Sequence, residues 1–372
     1  MDEKDLRRYL AIVPDPRVER TRKHELADML FIAVCAVLCG AEGPSEIEEF
    51  GKANEEWLRS FLLLPNGIPS HDTFGRVLAA LDPEALESAL SAFVRDFAGD
   101  SEGKHIAIDG KILRRSYDRA AEKSAIHMVT AWVYENHAAF GQRKVDDKSN
   151  EITAIPKLLA LLNLKDATVS IDAMGCQKDI ARTIVDGGAD YVLALKGNQG
   201  TLHDEVTEFF DDVLARGMKA ELDSHTTVDK DHGRIEERTV WVSTDVDWLR
   251  DYALWTGLSY LVAVQSKRTV DGQTSEERRH FICSGKHKTA KELGQAIRHH
   301  WSVENELHWT LDVAFREDLS RVRVENAAEN LARIRRVALS LLKQDKSTKI
   351  GIHGKRLKAA WDKNYLLKLL RV

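Results

Sequence analysis

Residues 167–200 read ATVSIDAMGCQKDIARTIVDGGADYVLALKGNQG, and their pattern decides the fold class. The run ATVSI is short, apolar and β-branched, which suits a buried strand, and it closes on Asp172. QKDIARTIVDGG then has helical spacing and stops at a glycine pair, and DYVLAL is a second apolar strand entering a KGNQG turn. Strand, helix and strand in this order make a parallel pair, so the chain is α/β.

Working backwards, HIAID (105–109) is a short apolar strand closing on Asp109. AIHMVTAWV (125–133) and HAAFGQRKV (137–145) read as two further strands turning through YEN. AIPKLLALLNL is helical, with Pro156 near its first turn. The order β-β-β-α-β-α-β predicts a mixed sheet flanked by helices.

Working forwards, TLHDEVTEFFDDVLARG is a helix, and a β-rich stretch over about 222–285 follows. Next comes HHWSVENELHWTLDVAFREDLSR, residues 299–321. Trp301, Leu307, Leu311, Ala314 and Phe315 recur at helical spacing, which predicts one amphipathic helix. His300, Glu304, His308 and Asp312, each four apart, line a neighbouring face. On this helix Trp301 and Leu307 mark the buried side, and Glu306 turns away to solvent.

Residues 1–95 predict an all-helical N-terminal domain. LADMLFIAVCAVLCG is an apolar helix; Ser45 with Glu48 has capping-box spacing, and Ser70 caps the next helix. Short capped helices behind the basic run RVERTRKH (17–24) suit a helix-turn-helix-like DNA reader, and they suit a plain bundle equally. The boundary falls at 96–104, leaving 105–372 as the second domain.

Net charge is only −5, but its distribution is uneven. Residues 321–372 hold 14 Lys/Arg against 4 Asp/Glu, a balance of +10 that leaves −15 on the first 320. A basic helical C-terminus of this kind points to an anionic partner such as DNA. Cys35, Cys39, Cys176 and Cys283 are too scattered for a disulfide framework and read as free thiols of a reducing cytoplasm. The opening MDEKDLRRYL is too charged for a secretory signal, and the 15-residue apolar run Leu26–Gly40 is too short to span a bilayer.

Two aspartates at the ends of apolar strands face the crevice where α/β sheets gather ligands. With a helical glutamate they form an oxygen-only donor set suited to Mg²⁺ or Mn²⁺. Two such ions, about 3.5–4 Å apart, would serve both oxygens of a phosphodiester displacement. A zinc site from His300, Glu304 and His308 is the competing reading, favoured by helical i, i+4 spacing.

IAIDGKILRRS, VSIDAMGCQ, YVLALKGNQ, HGRIEERTVWV and HHWSVENELHWTLDVAFREDLSRVR together resemble the ISAs-type, H-repeat-associated DDE transposases. The resemblance runs over essentially the whole chain, including LLLPNGIPSHDTFGRVL. It implies a ribonuclease-H-like catalytic domain over 105–372 with a β-rich insertion before the last catalytic helix. Residue by residue it carries the catalytic and metal-binding roles to Asp109, Asp172 and Glu304. The gaps are 63 and 132 residues, and the insertion fills the second. The wider group flanks its glutamate with a tyrosine, an arginine and a lysine. Here Ile297, His300 and Leu311 stand instead, which leaves His300 or Arg298 to hold phosphate near Glu304.

Further DNA contacts are expected from Lys111 and Arg114 beside Asp109, and from Lys196, Asn198 and Gln199 on the turn after a strand. Arg333, Arg335 and Arg336, with Lys343, would grip the backbone beside the cut. Trp241 would stack on a displaced base or fill the core. The implied enzyme is a cytoplasmic, metal-dependent transposase, nucleoid-associated when bound to DNA. It would cut double-stranded DNA at terminal inverted repeats and join the ends to target DNA as a homo-oligomer. A stand-alone nuclease or a non-transposing DNA-binding relic are the alternatives.

Overall fold

A computed structural model describes residues 5–117, 124–146, 149–217, 222–231 and 233–371. It divides into two compact units, the first made of 1–100, 110–148 and 304–372, the second of 101–109 and 149–303.

The first unit opens with six helices: α1 (Leu6–Leu10), α2 (Leu26–Leu38), α3 (Pro44–Ala53), α4 (Glu55–Leu58), α5 (His71–Ala80) and α6 (Pro83–Ala98). From Met29 to Leu38, α2 is buried on every side, because it has no polar face to give to water. Ser70 caps α5 through the Thr73 amide, as expected. Ser45 does not cap α3; Gly43 holds that place, Pro44 opens the helix, and Glu48 instead accepts from the His71 amide at 2.7 Å.

The last three residues of strand β1 (His105–Ile112) also fall in this unit. So do the antiparallel hairpin β2 (His127–Val133) and β3 (Ala138–Lys144). The C-terminal helices α11 (Trp309–Ala314), α12 (Ala327–Gln344), α13 (Ile352–Trp361) and α14 (Lys363–Leu370) complete it. α12 is the axis: it packs against α2, α5, α6 and β3, and is buried from Ala327 to Leu342. Asn330 binds it to the end of α5, donating to the Leu78 and Leu81 carbonyls, both at 2.9 Å. The N-terminal helices thus share their core with a helix about 250 residues further along.

The second unit holds α7 (Glu151–Leu159), β4 (Thr168–Ile171), α8 (Lys178–Asp186), β5 (Asp190–Leu195) and α9 (Gly200–Ala215). Then follow β6 (Asp223–Asp231), β7 (Arg234–Ser243), β8 (Leu258–Val270), β9 (Gln273–Ser284) and α10 (Ala290–His300). Its strands lie in the order β1-β4-β5-β9-β8-β7-β6. β1, β4 and β5 are parallel, and every later pair is antiparallel. The β-rich insertion therefore continues the same sheet, joined where Val192 of β5 meets Cys283 of β9.

This mixed α/β sheet is the one the strand order predicts, and it is consistent with the ribonuclease-H-like core the resemblance implies. β1 runs on to Ile112 rather than closing at Asp109. Ala290, Leu293 and Ile297 of α10 pack over Val192, Val262, Phe281 and Cys283. Trp241 is buried, which settles it as a core residue. His232 of the HGRIEERTVWV motif lies outside the described residues. All four cysteines are free, and among the described residues no helix is long and apolar enough to cross a membrane.

Candidate active site

In the second unit the site begins with the β1–β4 pairing. Ile108 stands opposite Ile171, so Asp109 and Asp172 are the next residues along two parallel neighbours. Asp172 leaves β4 as the cap of a 3-10 turn, Ala173–Gly175, and its Oδ1 accepts from the Met174 amide at 3.0 Å. Burial pushes the Asp172 carboxyl up, and the negative charges of Glu151 and Asp109 push it further. The Met174 amide and the nearby His300 work in the opposite direction.

The loop that presents Asp172 is held from below and beside. A Cβ at Gly175 would lie 2.3 Å from Ile171 Cγ2, so only glycine lets the turn fold back on the strand. Asn198 donates to the Ala173 carbonyl at 2.6 Å, and Gln199 to the Cys176 carbonyl at 2.9 Å. Two of the residues expected to touch DNA are thus occupied in bracing the aspartate loop. Lys196 beside them is exposed. Arg298, also exposed, donates to Asp229 at 2.5 Å. His300 binds Ser170 Oγ through Nδ1 at 3.0 Å.

Along residues 290–314 the expected single helix is broken. α10 ends at His300, and a π-helical turn, Val303–His308, comes before α11. The wider turn changes which residues share a face. Glu304 is exposed in this turn. Trp301 is also 40% exposed, against the expectation that it marks the buried side, while Leu307, Leu311 and Phe315 are buried as predicted. Glu306 does not turn to solvent: it is half-buried, accepting from His137 Nδ1 at 2.8 Å and Lys343 Nζ at 3.1 Å.

Of the basic residues of the first unit expected to touch DNA, Lys111, Arg333, Arg335 and Arg336 are buried. Lys111 is buried among Asp312, Glu317 at 3.3 Å and Asp318 at 3.2 Å, so its ammonium is spent on carboxylates rather than phosphates. Burial acts to lower its pKa, but Glu317 and Asp312 outweigh this and hold it above the usual lysine range. Arg114 remains exposed, 3.1 Å from Asp318. Arg333, Arg335 and Arg336 are only 2%, 2% and 3% exposed, which corrects their reading as a DNA grip. Arg333 donates to Glu87 and pairs with Glu329, both at 2.8 Å; Arg335 donates to the Glu42 carbonyl at 2.8 Å, and Arg336 binds Gln142.

Sequence reasoning missed Glu151, Ser170 and His105. Glu151 is a first-turn acid of α7, a common place for a carboxylate, and a serine inside an apolar strand carries no spacing signal. Among the described residues no group of three or more His, Cys, Asp or Glu is arranged to hold a metal ion, zinc included. The donor chemistry of the Asp109–Asp172 pair nevertheless fits a hard divalent cation. Two neighbouring carboxylates repel; after burial and Glu151, Asp109 is the next cause raising Asp172, and a bound cation relieves that repulsion.

Residues 100–341 match the family described as Transposase DDE domain, and residues 7–94 match that described as DDE_Tnp_1-associated. The chain belongs to the DDE transposase family. It is 44% identical over 366 residues to "Putative transposase YncI" of Escherichia coli O157:H7, covering 97% of this chain and 93% of that protein. It is 41% identical over 375 residues to "H repeat-associated putative transposase YhhI" of Escherichia coli strain K12, covering 100% and 98%. The protein is an insertion-sequence transposase, an enzyme of DNA cleavage and strand transfer whose domain implies divalent metal use.

Proposed function

We propose that Asp109, Asp172 and Glu304 carry out both chemical steps, cutting at the terminal inverted repeats of the element and joining the freed ends to target DNA. The observation that carries this reading is the β1–β4 register, which makes Asp109 and Asp172 neighbours. Glu304 joins them on the family motif and on its exposure in the π-turn.

In the first step water attacks the phosphodiester; the new P–O bond forms as the bond to the 3′ oxygen breaks, leaving a 3′-hydroxyl. In the second that hydroxyl attacks a target phosphodiester and displaces the target's own 3′ oxygen. Two Mg²⁺ or Mn²⁺ ions, held by the three carboxylates, would neutralise charge on the attacking and leaving oxygens. The chain's own part is to fix the carboxylates. The Met174 amide, Gly175 and the Asn198 and Gln199 side chains hold Asp172 in place.

DNA is gripped by exposed cations. Arg114, Lys196 and Arg298 are the candidates that remain at the surface, and His300 acts beside Asp172. Residues 1–95 read the element ends, with Arg20, Arg22 and Lys23 exposed in the basic run, and residues 105–372 cut and join. The enzyme works as a homo-oligomer on double-stranded DNA in the cytoplasm, at the nucleoid.

The test is strand transfer. Purified protein, a pre-cut duplex bearing the element's terminal repeat, a target plasmid and Mg²⁺ should yield covalently joined product. Hydrolysis without joining would identify a stand-alone nuclease, and binding without either reaction a DNA-binding relic.

A further inference from the structure

A buried hydrogen-bonded chain runs along the face of β1 and β4 that carries the aspartates. The register sets His105 beside Thr168. Alternation along each strand then puts His105, Ala107 and Asp109 on one face with Thr168, Ser170 and Asp172. Ser170 and His105 are both buried. The Ser170 hydroxyl lies 2.8 Å from His105 Nε2 and 3.0 Å from His300 Nδ1, bridging the two rings. The His299 ring stands edge-on to His105 with centroids 5.6 Å apart.

The helix above is built to the same pattern. Leu293, Ile297 and His300 recur at i, i+4 and i+7, one stripe of α10. The first two members are in the apolar core, and the third lands on Ser170.

Packing alone does not call for this arrangement. Val169 and Ile171 flank Ser170, and an aliphatic residue between them would avoid burying a hydroxyl against the His105 imidazole. What the polar chain adds is orientation. A serine hydroxyl has one proton, so it donates to one ring and accepts from the other. Burial, then the neighbouring His299, His300 and Lys288, hold the His105 pKa down to about 3, so its ring is neutral.

We infer that Ser170 and His105 are positioning residues for His300, tying its Nδ1 so that Nε2 is the nitrogen presented to the DNA phosphate at the Asp109–Asp172 pair. This rests on the reading of that pair as the cutting site. With Nδ1 held at the Ser170 hydroxyl, the N–H of His300 that meets the DNA is Nε2–H. It then donates a hydrogen bond to a phosphate oxygen, with no proton transferred.

Single-turnover cleavage of a terminal-repeat duplex by full-length protein tests this. His300→Ala should slow cutting roughly 100-fold, the cost of one donor to a developing oxyanion. His300→Gln, whose amide nitrogen reaches the Nε2 position, should recover most of that rate. Ser170→Ala should cost about tenfold through misplacement, with DNA affinity unchanged. The double variant Ser170→Ala/His300→Ala should cut no more slowly than His300→Ala, because Ser170 acts only through the ring. If Ser170→Ala does not fold, His105→Phe takes its place in the cycle. Additive losses, or a His300→Ala protein that cuts like wild type, would overturn the inference. Asp172→Asn, run in parallel, separates the two readings. If it is dead while His300→Ala is normal, only the positioning role falls; if it is active, the site assignment falls.

Discussion

Glu306 and Lys343 meet at 3.1 Å inside the first unit, and His137 reaches the same carboxylate oxygen at 2.8 Å. The contact ties the π-turn that holds Glu304 to both α12 and the β2–β3 hairpin. Burial acts to raise the Glu306 pKa, but His137 and Lys343 outweigh it and keep the group ionised. Glu306→Gln strands the Lys343 ammonium, so it should cost about 1–3 kcal/mol of stability. The same change should slow cleavage about tenfold through loss of alignment. Urea denaturation checks the first figure. Adding Lys343→Met removes the stranded charge, and the double variant should be less destabilised than the two single losses combined.

Arg333 sits between Glu87 and Glu329, each 2.8 Å away, with all three side chains buried. Arg333→Met leaves two buried carboxylates without their cation, a loss of about 3–5 kcal/mol. The measurement is again denaturant unfolding. A variant as stable as wild type would show that this network contributes nothing to the fold.

Phosphate binding should follow exposure rather than charge count. Arg114→Ala, Lys196→Ala and Arg298→Ala should each weaken binding to specific and scrambled duplexes alike, and each should reduce the salt slope by about one. Arg335→Lys should leave that slope unchanged. A titration of affinity against salt for the four proteins distinguishes the two groups.

These arginines also show where sequence reading stops. The order of strands and helices and the strand-end place of Asp172 were legible, because short apolar runs and a glycine-stopped helix are local signals, whereas β1 runs past Asp109 to Ile112. The extension of the sheet by β6–β9 was legible as β-rich sequence, though not its joining of β5 to β9. The burial of Arg333 was not legible: its partner Glu87 lies 246 positions away, and composition counts charges without their neighbours. Glu306 was misread for another reason. An ideal 100° step per residue turns it from the site, and the π-turn at Val303–His308 breaks that step. Ser45 lost its capping place to Gly43, two residues earlier, where Pro44 supplies a competing start signal.

His280 gives the second unit an acid sensitivity. Burial, then His203 and Arg278, press its pKa down to about 4, against the pull of Asp211. An unfolded histidine titrates near 6.5, so below that pH the unfolded chain binds the extra proton and stability falls until about pH 4. Between pH 8 and pH 5 this one group should cost about 2 kcal/mol. His280→Leu should remove that part of the pH dependence, read as urea midpoints at the two pH values. Equal pH dependence in both proteins would contradict the assignment.

Cleavage by carboxylate variants tests the central claim most directly. Asp109→Asn, Asp172→Asn and Glu304→Gln keep side-chain shape but remove charge that a divalent cation needs. Each purified variant is given a labelled terminal-repeat duplex with Mg²⁺ or with a chelator, alongside a binding assay and a thermal melt. Each should bind DNA and melt like wild type yet lose at least a thousandfold in cutting, in line with the loss of a metal-supported step of several kcal/mol. Wild-type protein should cut only with the metal. A folded Asp109→Asn, Asp172→Asn or Glu304→Gln protein that cuts at the wild-type rate would contradict the account, as would wild-type cutting that survives chelation.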